Sequence, residues 1–60
     1  MKLILKFPSD EEIYYPSTIS EALTLTAQKF NLKRFSGHIL TLERTGHVIF
    51  PNGAGSAKLS

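Results

Sequence analysis

The chain has 60 residues, enough for one small domain, and a domain of this size buries only about 60% of the surface that its unfolded chain exposes. It contains no cysteine, so the sequence predicts neither a disulfide framework nor a cysteine-based zinc site, and we expect a reducing, cytoplasmic setting. Seven basic and five acidic residues give a net charge of +2, and the basic residues are too scattered to indicate nucleic-acid binding by themselves. The aliphatic run from Leu3 to Leu5 is far shorter than the ~20 residues of a membrane span, so no membrane is predicted.

The first two predicted elements are strands joined as a hairpin. Apolar and polar residues alternate from Lys2 to Phe7, which is the period of a half-buried strand with Ile4 on its outward face. Residues 8–11 form a turn-prone cluster. The β-prone pattern then resumes and ends at Pro16, and we expect Tyr14 on this second strand to face outward.

A helix is predicted after the hairpin. Thr18 is a suitable N-cap, and Glu21 three residues later completes a capping box, so the helix should begin at Ile19. Asn31 is suited to a left-handed residue just past the helix end. The apolar stripe predicted at the helical period consists of Ile19, Ala22, Leu23, Thr26, Ala27 and Phe30.

The second half of the chain reads as another hairpin, formed by residues 37–43 and 47–50. A two-residue turn at Thr45 and Gly46 would mix apolar and polar residues on both faces, whereas a three-residue loop with Gly46 left-handed separates them. The second register is therefore favoured. It places four residues in the core, Leu40, Leu42, Val48 and Phe50, and five outside, Ile39, Thr41, Glu43, His47 and Ile49.

The composition changes after Phe50. Residues 52–60 are rich in small residues and have no apolar period, which predicts a flexible or irregular C-terminal tail. The predicted domain therefore covers residues 1–51.

These elements predict an α+β fold of two layers, in the order ββαββ. Two hairpins and one helix can bury their apolar sides together only if the helix lies across one face of a single sheet. A right-handed crossover with the first and last strands central and parallel gives a mixed four-stranded sheet of order 2-1-4-3. That arrangement is the β-grasp plan.

The opening of the chain resembles that of a known superfamily. Residues 1–7, a short second strand, and the helix start from Pro16 to Leu23 are similar to the first half of ubiquitin-like domains, and also to TGS domains, over about residues 1–32. The resemblance implies a β-grasp fold that binds partners through an apolar sheet face. Ubiquitin and the sulfur carriers of this fold end in a glycine pair, whereas this sequence ends Ala57-Lys58-Leu59-Ser60, so conjugation and sulfur carriage are not predicted.

No pattern of catalytic or metal-binding residues stands out. His47 and Glu43 would be cross-strand neighbours and His38 would point away, which leaves too few ligands for a metal. The acidic turn at residues 10–12 is solvated and lacks the burial that acid–base chemistry needs. The glycines of residues 51–56 lack the lysine and hydroxyl of a phosphate loop. We predict no enzyme, no cofactor and no metal.

The apolar residues predicted on the outward sheet face indicate a protein-binding function. Polar residues are expected there in a two-layer domain, so an apolar row indicates that a protein partner or a second copy binds this face. An exposed edge strand could also bind a partner by accepting an additional strand. The plain alternative is that isoleucine and tyrosine are there for their β propensity. The predicted protein-binding residues are Ile4, Tyr14, Ile39, Thr41, His47 and Ile49.

A small nucleic-acid-binding domain is the second hypothesis. It would use the basic residues around the helix end, with Tyr14, Tyr15 or Phe35 for stacking. Charge complementarity at the helix terminus together with core packing of the aromatic residues is the favoured explanation of the same residues. The residues predicted for it are Lys29, Lys33, Arg34 and Arg44. A third possibility is that the chain is a fragment or a regulatory domain of a larger protein, as in the proteins to which TGS domains are attached.

Overall fold

Two helices cover one face of a four-stranded antiparallel sheet in a computed structural model that describes residues 1–60. The sheet order is β2-β1-β4-β3, and every neighbouring pair is antiparallel. The elements in chain order are β1 (Leu3–Phe7), β2 (Asp10–Tyr14), α1 (Ile19–Lys29), α2 (Gly37–Thr45), β3 (His47–Phe50), a 3₁₀ turn (Pro51–Gly53) and β4 (Gly55–Leu59). The predicted α+β class is confirmed. The strand order has the predicted numbers 2-1-4-3, but β3 and β4 are not the segments predicted as the third and fourth strands.

α1 forms where the sequence predicts it, whereas the first hairpin has a shorter turn than the predicted residues 8–11, and Tyr14 faces the core instead of outward. Thr18 caps α1 by accepting a hydrogen bond of 3.1 Å from the Glu21 amide. The Glu21 carboxylate accepts from the Ser17 amide at 2.8 Å, one residue earlier than the predicted capping box. Asn31 has the predicted left-handed conformation, with φ of 56°. The predicted helix start at Ile19 is therefore confirmed. From this point α1 leads the chain from the edge strand β2 back across the sheet.

The predicted strand over residues 37–43 is wrong, because this segment is the helix α2. Ser36 caps it by accepting from the Ile39 amide at 3.5 Å. Ile39 and Leu42, three residues apart, are fully buried, whereas Leu40 is 39% exposed. The sequence from Ile39 to Leu42 satisfies both an alternating and a helical period, and burial of the pair three apart decides for the helix.

Gly46 has the predicted left-handed conformation but a different role. Its φ is 86°, and its amide donates to the Leu42 carbonyl at 2.9 Å, so Gly46 ends α2 instead of closing a hairpin. A glycine with positive φ suits either structure, which is why the sequence alone allowed the wrong choice.

The predicted irregular tail at residues 52–60 contains a central strand of the sheet. β4 pairs with β1 on one side and β3 on the other, and Ala57 in its middle is 1% exposed. Its sequence from Gly55 to Leu59 has low β propensity, so its two neighbouring strands determine its conformation.

This strand also corrects the predicted topology. The chain order is ββααββ with two helices, and the central pair β1 and β4 is antiparallel, whereas the predicted mixed sheet has one helix and a parallel centre. The strand predicted as fourth, residues 47–50, is the edge strand β3.

The hydrophobic core lies between the sheet and the helices. Three phenylalanines stack at one end of it, with ring centroids of Phe7 and Phe30 at 4.9 Å and of Phe30 and Phe50 at 4.2 Å. Neither helix has the length and apolar character needed to cross a membrane. The buried core residues are Leu3, Leu5, Ala22, Leu23, Ala27, Ile39, Leu42, Val48, Phe50 and Ala57.

Candidate functional site

The sheet face opposite the helices carries the candidate site, which we call the outer face. Successive side chains of a strand point to opposite sides, so the residues between the buried core positions point away from the helices. Strand pairing arranges them in two rows across the sheet. One row is Ile13, Ile4, Lys58 and His47, and the other is Glu11, Lys6, Ser56 and Ile49.

Three isoleucines give the outer face its apolar character. Ile4 and Ile13 stand directly opposite each other on β1 and β2, and Ile49 lies on the edge strand β3. Ile49 is 73% exposed and Ile13 is 46% exposed, whereas Ile4 between the strands is half-buried. The solvent face of an antiparallel sheet ordinarily carries polar side chains, so these positions depart from the expected pattern.

A shallow groove of about 340 Å³ runs over this face. Its floor is on β4, where the small side chain of Ser56 leaves space. Ile4 and Lys6 on β1 line one side, and His47 and Ile49 on β3 line the other. The walls are two strand spacings apart, which is about 10 Å.

The charge of the outer face is predominantly positive. Lys6 and Lys58 lie on the two central strands, and Glu11 on β2 is the only carboxylate in the two rows. Neither lysine forms an ion pair, because the one salt bridge of the protein joins Lys29 and Glu12 elsewhere. Both ammonium groups are therefore available to an external anion.

Three of the six residues predicted for protein binding lie together on the outer face, namely Ile4, His47 and Ile49. The other three do not. Tyr14 pairs with Leu3 and packs against the core, Ile39 is fully buried in α2, and Thr41 is exposed on α2, where its hydroxyl donates to the Gly37 carbonyl at 2.9 Å.

Sequence reasoning missed Ile13, Lys6 and Lys58. The signal for Ile13 is the short turn at Pro8 and Ser9, which pairs Phe7 with Asp10 and hence Ile4 with Ile13. No comparable signal identifies Lys58, because its segment has no strand period.

Tyr14 instead belongs to a polar network on the helix side. Its hydroxyl donates to the Glu12 carboxylate, which lies 3.3 Å from the Lys29 ammonium, and Lys29 stands 5.5 Å from the centre of the Tyr14 ring. The hydrogen bond from Tyr14, and then Lys29, lowers the pKa of Glu12 against the effect of desolvation. Tyr14 and then Glu12 raise the pKa of Lys29. Lys29 is thus engaged within the domain.

The residues predicted for nucleic-acid binding are separated. Lys33 and Arg34 lie between the helices, before α2 begins, whereas Arg44 lies in its last turn. A nine-residue helix is about 13 Å long, so Arg44 is far from the other two. The guanidinium carbon of Arg34 is 5.1 Å from the centre of the Phe35 ring, and its Nη1 is buried without a hydrogen-bond partner. Arg44 therefore does not form one basic patch with Lys33 and Arg34.

The histidines lie apart from each other. His47 is on the outer face, whereas His38 on α2 has its ring centroid 5.9 Å from that of Phe50. Glu43 is on α2 and not on a strand opposite His47, so the predicted cross-strand pair of these two residues is wrong. No three His, Asp or Glu side chains come together in a way that could hold a metal ion.

No family model, curated protein or solved structure matches this chain. The resemblance to ubiquitin-like and TGS domains therefore stays a prediction.

Proposed function

We propose that this protein is a non-catalytic binding module that contacts another polypeptide through its outer face. The observation that carries the proposal is the group of three isoleucines, Ile4, Ile13 and Ile49, on the sheet face that no helix covers. Ile4 and Ile13 are direct neighbours on this face, and exposed apolar groups that lie together on an otherwise polar surface are characteristic of interaction sites.

The aliphatic nature of the exposed groups favours a polypeptide partner. Isoleucine gains free energy from burial at about 25 cal/mol per Å² of apolar surface, and it has neither a hydrogen-bonding group nor an aromatic ring with which to recognise a base. The rigid sheet beneath holds Ile4 and Ile13 side by side, so a partner can bury both without reordering the domain.

The two edge strands are less suited to binding than the outer face. On β3, the Thr45 hydroxyl oxygen accepts from the His47 amide at 3.4 Å, which satisfies one backbone group of the edge. On β2, the Asp10 carboxylate accepts from the Glu11 amide at 2.8 Å, and three consecutive acidic residues at 10–12 repel an acidic incoming strand. These features of β3 and β2 disfavour the addition of another strand at either edge of the sheet.

The test is an affinity capture with matched variants. The outer-face variant carries Ile13→Ser and Ile49→Ser, and the control carries Leu40→Ser and Phe35→Ser, whose side chains are 39% and 76% exposed at the helices. We expect a protein retained by wild type and by the control but lost from the outer-face variant, with all three proteins folded by circular dichroism. Equal retention by both variants, or equal loss, would show that the outer face is not the binding surface.

A further inference from the structure

We infer that the partner of the outer face is an acidic polypeptide segment, in which carboxylates lie between aliphatic side chains. This inference rests on the proposed function and specifies the chemistry of the partner. It follows from the order of charges and isoleucines across the sheet.

The two lysines of the outer face lie on its central strands, and two of its three isoleucines lie on its edge strands, with Ile4 on β1 between them. Lys6 and Lys58 occupy the central strands, whereas Ile13 and Ile49 are on the two edge strands. Lys6 stands opposite Ser56, so Lys58 is its diagonal neighbour, at about 7 Å between backbones. Two carboxylates at positions i and i+2 of an extended segment have nearly the same separation.

The two lysines complete the argument from charge complementarity. Neither has an ion pair within the domain, and Ser56, which is next to each of them, leaves the groove open above β4. Lys58 has no acidic neighbour on this face, and the only one of Lys6 is Glu11, directly opposite on β2. A partner that buried the isoleucines without supplying carboxylates would desolvate both ammonium groups with at most this one carboxylate nearby, which is costly. An acidic segment supplies the missing charges and gains the apolar contact as well.

A second copy of the chain fits this face poorly. Packing two outer faces against each other about a two-fold axis would bring the central lysines of one copy toward those of the other. Only Glu11 could oppose them, and it lies on the edge strand β2. Like charges facing each other in an interface disfavour that association.

Nucleic acid also fits less well than an acidic polypeptide. Single-stranded nucleic acids bind sheet surfaces through aromatic rings on which bases stack, and the outward positions of the four strands carry no Phe, Tyr or Trp. The exposed rings of Tyr15 and Phe35 lie outside these strands. Two central lysines also provide few phosphate contacts.

The experiment selects binders from a display library of random short peptides against the immobilised full chain, at low salt. Enriched peptides are then synthesised, and their binding is measured by fluorescence anisotropy. A charge-reversed variant, Lys6→Glu with Lys58→Glu, is compared with a control, Lys33→Glu with Arg44→Glu, which makes the same change of charge away from the sheet.

We expect the enriched peptides to combine acidic and aliphatic residues. Their affinity should fall at least about tenfold in the charge-reversed variant and less than about twofold in the control, because only the first places carboxylates against carboxylates. Binding should weaken with added salt. It should also be lost in the Ile13→Ser, Ile49→Ser variant, which ties it to the outer face.

Other outcomes separate the inference from the proposed function. If the enriched peptides are neutral or basic and their binding still depends on Ile13 and Ile49, the inference of an acidic partner is wrong, whereas the proposal that the outer face binds a polypeptide stands. No enrichment beyond that seen with the Ile13→Ser, Ile49→Ser variant would overturn both. Binding of a single-stranded oligothymidylate that depends on Lys6 and Lys58, where the peptides do not bind, would identify nucleic acid as the occupant and overturn both as well.

Discussion

Gly55 lies directly against the backbone of Lys6, so that a Cβ on Gly55 would stand 1.9 Å from the Lys6 carbonyl oxygen and 3.0 Å from the ring of Phe30. Its φ of 137° is a conformation that other residues rarely adopt. The start of β4 therefore requires glycine, for both steric and backbone reasons. This position fixes the strand that completes the groove of the outer face.

Replacing Gly55 with alanine should consequently destabilise the fold strongly. We expect a loss of at least about 3 kcal/mol in the free energy of unfolding, from overpacking and backbone strain together. Urea denaturation followed by circular dichroism measures it. Gly37→Ala is the matched control, because a Cβ there meets nothing within 4 Å, and it should change stability by about 1 kcal/mol or less. Similar stabilities for the two variants would contradict the placement of β4.

The identity of α2 can be tested by side-chain truncation at two adjacent residues. Ile39 is fully buried and Leu40 is 39% exposed. Ile39→Ala should cost about 2 to 4 kcal/mol of unfolding free energy, and Leu40→Ala about 1 kcal/mol or less, because only the first leaves a cavity in the core. Thermal or urea unfolding of both variants gives the comparison. A larger loss at Leu40 is what the hairpin register predicted from the sequence would produce.

The network around Glu12 predicts a specific dependence on pH. The pKa of Glu12 is lower in the folded chain than its ordinary value of 4.5, so its contribution to stability is fully present above pH 4.5 and is lost as the pH falls through the lowered pKa. Lys29 has a raised pKa, so its contribution is present below 10.5 and is lost as the pH rises through the raised pKa. Both groups thus support the folded state in the neutral range.

Removing the Tyr14 hydroxyl should move the pKa of Glu12 back toward its ordinary value. The hydrogen bond from Tyr14 is the largest cause of the shift, so Tyr14→Phe should raise the pKa of Glu12 in a carbon-detected NMR titration of the side-chain carboxyl. Tyr15→Phe is the control, since that ring is 74% exposed and its hydroxyl makes no hydrogen bond to Glu12. An unchanged pKa in Tyr14→Phe would show that the hydrogen bond does not form in solution.

The sequence predicts the parts of this fold whose signals are local. The cap at Thr18 fixes α1, and alternation in residues 3–7 fixes β1, because these patterns are compatible with one structure only. The segment from Ile39 to Leu42 is compatible with two periods, and packing in the core selects between them. The sequence of β4 has no alternating apolar pattern. Its small residues are explained by tertiary packing, because Gly55 lies against the Lys6 backbone and Ala57 is buried in the core, and small residues do not favour a strand.

The residues of the candidate site also differ in whether a local sequence pattern identifies them. Ile4, His47 and Ile49 are predicted correctly as outward because their strands alternate. Lys58 lies on the strand without a signal, so its place beside Ile4 depends on tertiary pairing that no spacing in the sequence indicates. Half of the proposed surface could therefore be inferred before the fold was known.

The most direct test of the account is an NMR titration of isotopically labelled protein with the partner retained in the capture experiment, followed through backbone amide and isoleucine methyl signals. We expect the largest shifts at Ile4, Ile13 and Ile49 and at the amides of β4, with little change around Phe35 and Leu40. Shifts confined to the loop at residues 31–36 or to α2, with the isoleucine methyl signals unmoved, would contradict the assignment of the outer face as the binding surface.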